Sequence, residues 1–256
     1  MNRVKNIWFL VVAAMCFASC VNDKNKPTDT LSSGTVDISV DETYKPVIEE
    51  QLKVFDSSYP EAKITAHYEP ETECFKDFFN KKSRLILVTR QLSQSEKALC
   101  EQKQIVPSSI ALAKDAIAVI INPASADSML DVDEIKGILT GTYKKKYTVV
   151  FDNEGSSTVR FIIDSLLKGQ KLSSNVFAAK GNKDVVDYVT GKQDAIGFVG
   201  LSYASDLNDS TNTGAFIKNV KVVSIQNDST KQFYQPYQAY IALKLYPLTR
   251  NLYYIN

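Results

Sequence analysis

Leu85-Ile86-Leu87-Val88-Thr89-Arg90-Gln91-Leu92-Ser93-Gln94-Ser95-Glu96 is the stretch that decides the fold. Its first four residues form an unbroken apolar run, as expected of a parallel strand covered on both faces. Ser93 and Glu96 then make a capping box that opens a helix. Upstream, Val36-Asp37-Ile38-Ser39-Val40 alternates with period two, a strand. A helix follows, with Pro46 near its first turn and Val47, Ile48, Leu52, Val54 and Phe55 on one apolar stripe. A strand over 62–67 and a helix over 71–80 complete the approach to Leu85. Downstream, an apolar strand over 116–121 is stopped by Asn122-Pro123, and Asp131 with Glu134 forms a second capping box before a helix to Leu139. A strand over 147–151 runs through Ser156-Ser157-Thr158 into a helix over 159–167. Residues 184–189 read as helix, 195–199 as strand, and 220–225 and 240 onward as extended. This alternation implies an α/β fold with mainly parallel sheets flanked by helices.

The amino terminus is of another kind. Arg3 and Lys5 precede an apolar run over residues 7–17, too short to span a bilayer but suited to the core of a secretory signal. The run ends in Phe17-Ala18-Ser19-Cys20, which resembles a lipobox, where lipid is added to the cysteine and the signal is cut before it. An ordinary cleaved signal or a short membrane anchor remain the alternatives. The polar stretch 21–34 reads as a tether, because its Asn, Asp, Lys, Thr and Ser cannot bury a face. Cys20 is thus the expected lipidation site. The product is expected outside the cytoplasm, lipid-anchored in the cell envelope and facing the periplasm or the cell surface.

Loss of residues 1–19 removes Arg3 and Lys5 and no acid, so the formal charge moves from +1 to −1. Charge therefore points to no nucleic acid and no anionic membrane surface, and the lipid is the only membrane contact inferred. Cys74 and Cys100 lie on helices flanking one strand, and their spacing matches no metal motif. A disulfide and two buried thiols are both open readings. No cofactor or metal is expected.

Several segments match one family in order. Ile121-Asn122-Pro123-Ala124 with Glu134-Ile135-Lys136-Gly137-Ile138-Leu139-Thr140-Gly141, Ala195-Ile196-Gly197-Phe198-Val199-Gly200-Leu201, and Tyr246-Pro247-Leu248-Thr249-Arg250-Asn251-Leu252-Tyr253 are three of them. Together with Thr89-Arg90-Gln91-Leu92-Ser93 they resemble the phosphate-binding substrate proteins of ABC transporters (PstS-like) across residues 34–256. The resemblance implies the type II periplasmic-binding-protein fold, two α/β lobes joined by two crossing strands and closing on a ligand. Lobe one is expected at 34–114 plus 224–256 and lobe two at 115–223, after a signal peptide at 1–19 and a lipidated tether at 20–33. The family pattern continues past its "YPLxRPLY" segment, so lobe one is expected to be truncated after Asn256. An ABC permease and ATPase are the implied partners of a monomeric binding protein.

A phosphate dianion needs many donors in exchange for its water, and helix amino termini with nearby hydroxyls provide them. Three strand-to-helix junctions are suited to this: Thr43-Tyr44, Thr89-Arg90 and Ser156-Ser157-Thr158. They fall on the family's contact positions; each alone reads first as helix capping, and it is the three together that point to a ligand. Other positions depart from the pattern. Asp152 stands at the family's arginine, Glu69-Pro70-Glu71-Thr72-Glu73 replaces its glycine-serine loop, and Ser157 replaces a glycine. Asp41 and Glu42 flank Thr43, leaving Arg90 and Arg160 as the nearby cations. The expected ligand is therefore a small oxyanion, phosphate first.

Two other classes compete with this reading. For a hydrolase, Ser156 lacks a base, since the sole histidine, His67, sits at a strand end and no Gly-x-Ser-x-Gly elbow surrounds the serine. No catalytic residue is assigned, and the chain is not expected to be an enzyme. A non-transport envelope lipoprotein, a sensor or interaction module that kept the fold but lost phosphate binding, is the second. Tyr234, Tyr237 and Tyr240 are candidates for such a surface, or for core packing.

Overall fold

The computed structural model describes residues 29–30, 32–207 and 215–256. The expected leader, Cys20 and the tether up to residue 28 lie outside the described residues.

The first lobe is built from βα units. β1 (Gly34–Asp41) leads through a short 3-10 turn (Glu42–Tyr44) into α1 (Lys45–Ser58), then β2 (Ala62–Glu69), α2 (Glu71–Phe79), β3 (Leu85–Val88) and α3 (Gln94–Gln102). β1 pairs in parallel with both β2 and β3, as strands joined by helical crossovers must. Ser93 caps α3 with its full box: its side chain accepts from the Glu96 amide while Glu96 reaches back to the Ser93 amide.

The chain then crosses over. β4 (Ser109–Ile121) is followed by β5 (Met129–Leu130), α4 (Val132–Thr140), β6 (Thr148–Phe151), α5 (Ser157–Phe161) with a π turn over Ile162–Leu166, β7 (Val176–Ala178), α6 (Asn182–Gly191), β8 (Ala195–Gly200) and α7 (Leu201–Ala204). β9 (Lys221–Val222), β10 (Ser224–Gln226), β11 (Phe233–Tyr234), α8 (Gln238–Ala242) and β12 (Thr249–Ile255) complete it. One nine-stranded sheet runs β2-β1-β3-β12-β4-β8-β6-β7, with β9 also on β4. β4 is the hinge of this order. Its first part pairs antiparallel with β12 and its second part, Ile117 to Ile121, with β8. The two crossing strands of the expected architecture are thus β4 and β12.

Alternation explains the apolar runs. In β4, Ile117, Val119 and Ile121 pack into a core with Ile135, Phe151, Ile162 and Phe198, while Ala118 and Ile120 pack on the opposite face with Val185, Val189 and Val222. A strand covered on both faces has no polar side, which is why 116–121 reads as continuous. β3 repeats this on a smaller scale: Ile86 and Val88 join Cys74, Phe75, Phe78 and Cys100, and Leu87 joins Ile38, Val40 and Tyr44. Both cysteines are free and buried, and burial pushes the Cys74 thiol up, which leaves it un-ionised.

Some expectations change. β4 begins at Ser109, well before residue 116, because β12 supplies a partner that local pattern does not reveal. Residues after 240 are not extended throughout, since α8 precedes β12. Ile225, Tyr234, Ile241, Tyr246 and Leu248 pack into the core containing Ile117 and Phe198, and β10 pairs with β5. The sequence places these residues in lobe one, yet their apolar partners belong to the second lobe. Only β12 carries the chain back. Tyr234 is buried in that core and meets Tyr240 edge to face at 4.8 Å, so packing explains it better than an exposed interface.

Candidate functional site in the inter-lobe cleft

Each expected junction sits where a strand hands over to a helix, and most of their donors already have partners. At the end of β1, Asp41 caps the 3-10 turn: its Oδ1 accepts from the Thr43 amide at 2.9 Å and from Thr43 Oγ1 at 2.8 Å. The Tyr44 ring packs in the first-lobe core, and its hydroxyl donates to the Asn251 carbonyl of β12 at 3.3 Å. At the end of β3, the Thr89 amide and hydroxyl both donate to Glu71 Oε1, at 2.8 and 2.7 Å. Arg90 forks onto Glu96 at 2.7 and 2.8 Å and lies 3.8 Å above the Phe75 ring. With both hydrogen-bonding arms so engaged, Arg90 is a fixture of the α3 cap rather than a free cation.

On the second lobe, Ser156 caps α5 by accepting from the Val159 amide at 3.1 Å. Ser157 accepts from Arg250 Nη1 at 2.9 Å, and Thr158 is buried beside it in the first turn. Arg250 is the residue that sequence reading misses. It lies on β12 directly opposite Asp115 of β4, to which its Nε donates at 2.8 Å, so the charges pair where the two strands cross. Arg250 is 5 % exposed, the most buried arginine of the site, which corrects the expectation that Arg90 and Arg160 are the only cations nearby. An arginine and an aspartate, each at the junction of an apolar strand, were the available signal. Their register was not.

Arg160 supplies the link between lobes. From α5 its Nε donates to Glu71 Oε2 at 2.6 Å and its Nη2 to Thr89 Oγ1 at 2.6 Å. Glu71 is buried at the start of α2, in the loop that replaces the family's glycine-serine segment. Its carboxylate therefore receives an amide, a hydroxyl and a guanidinium, the donor set expected for an oxyanion. Glu42 reaches across similarly, accepting from the Asn182 amide at the head of α6 at 3.2 Å.

Burial raises three other cleft carboxylates, Asp41, Asp152 and Glu42. Burial, reinforced by the charge of Glu71, raises Asp41 to about 6 against the pull of Arg250. Burial likewise raises Asp152 to about 6, opposed by the nearby polar groups of Ser156 and Asn153. Asp152 Oδ2 accepts from Asn182 Nδ2 at 3.1 Å, and Asn182 Oδ1 accepts from the Gly200 amide at 2.9 Å. At the position of the family's arginine, Asp152 thus ties α6 to the end of β8. Burial raises Glu42 as well.

The lobes touch. Ser202 donates to the Thr43 carbonyl at 2.7 Å, Tyr203 to the Glu42 carbonyl at 3.3 Å, and the Thr72 amide to the Gly155 carbonyl at 3.4 Å. Gly200 permits this approach, since a Cβ there would lie 2.8 Å from Thr43 Cβ and 2.9 Å from its carbonyl oxygen. Asp41 Oδ2, Asp152 Oδ1, Thr158 Oγ1 and Arg250 Nη2 are buried without a protein partner. They offer both acceptors and donors to a small polar solute. A cavity of about 810 Å³ lies beside the crossing strands, bordered by Tyr44, Lys114, Asp115, Ser202 and Ile241. His67 pairs with Asp37 on β1 at 3.0 Å, so neither Ser156 nor Ser157 has it as a hydrogen-bond partner.

This is the architecture of a periplasmic-binding-protein-like domain. The chain belongs to the PBP superfamily domain family, whose model matches residues 25–256. Among solved structures, it is similar to a protein from Clostridium perfringens, assigned as a phosphate ABC transporter substrate-binding protein and solved with bound phosphate. That match has 20% identity, covers 87% of this chain and 86% of that one, and has a TM-score of 0.72. An ABC-type phosphate transport receptor from Vibrio cholerae matches with 18% identity, 86% of each chain covered and a TM-score of 0.63. The regulatory domain of CcmR from Synechocystis, in complex with 2-PG, matches with 15% identity, 88% of each chain covered and a TM-score of 0.57. At these identities the likeness establishes the fold alone. No curated protein sequence matches the chain.

Proposed function

We propose that the chain is an exported solute-binding protein of an ABC-type uptake system, taking phosphate or a related small oxyanion between its lobes. The observation that carries this reading is convergence. Arg160 of the β6–α5 junction holds Thr89 of the β3–α3 junction, and Arg250 holds Ser157 while its guanidinium lies 5.6 Å from the Tyr44 ring of the β1–α1 junction. Thr43, Thr89, Ser156, Ser157 and Thr158 are the proposed contact residues, and Tyr44 and Arg90 support them. The similarity to a protein solved with bound phosphate favours this ligand class. Export, with lipidation at Cys20, fits the amino-terminal sequence. An ABC permease and ATPase are the partners proposed. Among the described residues, no helix is long and apolar enough to cross a membrane. Calorimetric titration of the domain with phosphate and sulfate tests the reading: micromolar phosphate binding that disappears on Thr158→Val supports it, and heatless titrations of a folded domain overturn it.

One observation favours a second reading. Asp41 and Glu71 occupy the donors of Thr43 and Thr89, as expected of a module that keeps the fold for sensing or interaction and not for transport. The same titration separates the two.

A further inference from the structure

We propose that Glu71 is the specificity-determining residue of the cleft, an internal carboxylate that closes the two lobes on itself and competes with free oxyanions for the same donors. Three observations carry it. First, Glu71 receives the Thr89 amide and hydroxyl from its own lobe and Arg160 from the other. These are the kinds of group that would replace the water around a free oxyanion, and here they are filled by a side chain. Second, the residue is 2 % exposed, although buried carboxylates are costly unless fully paired. Arg90 of the same lobe stands 3.8 Å from Oε2 while Arg160 of the other lobe donates to it at 2.6 Å, so the shorter ion pair favours the closed arrangement. Third, the interface beside it is made of protein: Thr72 to Gly155, Ser202 to Thr43, and Asn182 to Glu42. A ligand is not needed to bridge the lobes, because Glu71 is tethered at high effective concentration.

An incoming oxyanion must therefore displace Glu71 from Thr89 and Arg160 or bind beside an extra negative charge. Both routes lower affinity, and the second lowers it more for dianions than for monoanions, because like-charge repulsion grows with ligand charge. The inference rests on the oxyanion reading for its competition half and stands apart from it for its closure half.

The test uses the domain from residue 29, with Glu71→Ser and the near-isosteric Glu71→Gln. X-ray scattering in phosphate-free buffer is expected to show the wild type compact and Glu71→Ser expanded. Calorimetry is expected to show phosphate binding at least tenfold tighter in Glu71→Ser than in the wild type, with Glu71→Gln between them. A single cooperative thermal transition in each protein establishes folding, and Glu71→Gln carries the test if the serine variant does not fold. A wild type as open as the variants overturns the internal-occupant role. So does phosphate binding that is present in the wild type and unchanged or lost in both variants. If the variants open and neither they nor the wild type bind phosphate or sulfate, the occupant role holds and the oxyanion reading falls.

Discussion

The two walls of the cleft differ in chemical kind. The second-lobe wall presents mostly donors, the heads of α5 and α6 and Arg160, with the Gly155 carbonyl, Ser157 and Asp152 as its acceptors. The first-lobe wall presents acceptors: Asp41, Glu42 and Glu71. Two walls of donors would repel each other until an anion lay between them. A donor wall facing an acceptor wall is complementary by itself. The difference shows how a binding-protein fold can close without solute, and why inherited junctions do not by themselves fix the ligand.

Breaking the charge pair that both walls share should have the largest effect. Arg250→Met leaves Asp115 partnerless at the crossing and removes the cation facing Asp41. We expect a loss of about 3–5 kcal/mol in urea unfolding, and a loss below about 1 kcal/mol would mean the pair is solvated. Next comes pH. Asp41 and Asp152 both rise to about 6 in the folded state from an ordinary value of 3.8. The native state then binds these protons more tightly than the unfolded chain, so their contribution is full below pH 3.8 and lost as pH rises through 6. Glu96, held at about 2 by Arg90 and the Ser93 amide despite its partial burial, acts oppositely on the acid side. Melting temperature should therefore fall between about pH 4 and 6.5. Asp152→Asn should flatten that fall by on the order of 2 kcal/mol, and an unaltered profile would count against a protonated Asp152.

A smaller effect is expected at the contact itself. Gly200→Ala places a methyl against Thr43 and should widen the particle in scattering while costing about 1–2 kcal/mol, as overpacking does. An unchanged radius of gyration would show that the walls yield locally. Weakest is Glu42→Gln, which removes one charge from the head of α6. A loss of about 0.3–1 kcal/mol is expected, read as faster amide exchange at Asn182.

Much of the fold was legible because its signals are local. The Ser93–Glu96 and Asp131–Glu134 boxes form as their spacing requires, since each is closed within a single turn. The apolar runs 86–88 and 116–121 are buried on both faces as read, with Leu85 half-buried at the strand's edge. The junctions at Thr43, Thr89 and Ser156 also lie where expected. What failed was long-range. Ile225, Tyr234, Ile241, Tyr246 and Leu248 pack with Ile117 and Phe198, and a short apolar segment does not announce which core it joins. Arg250 was overlooked because its partner is 135 positions away in sequence. Glu71 looked like a defect in an anion loop, and only its contacts reveal it as the group that fills the donors.

The sequence alone determined the α/β alternation and the strand-to-helix junctions, because periodicity and caps act between neighbours along the chain. Only the tertiary structure decided that β4 and β12 cross as a pair, that residues 225–248 serve the second lobe, and that Arg160 spends its charge on Glu71. Those outcomes depend on which surfaces meet once the sheet has closed. Burial then turns ordinary carboxylates into either proton holders or ion-pair partners.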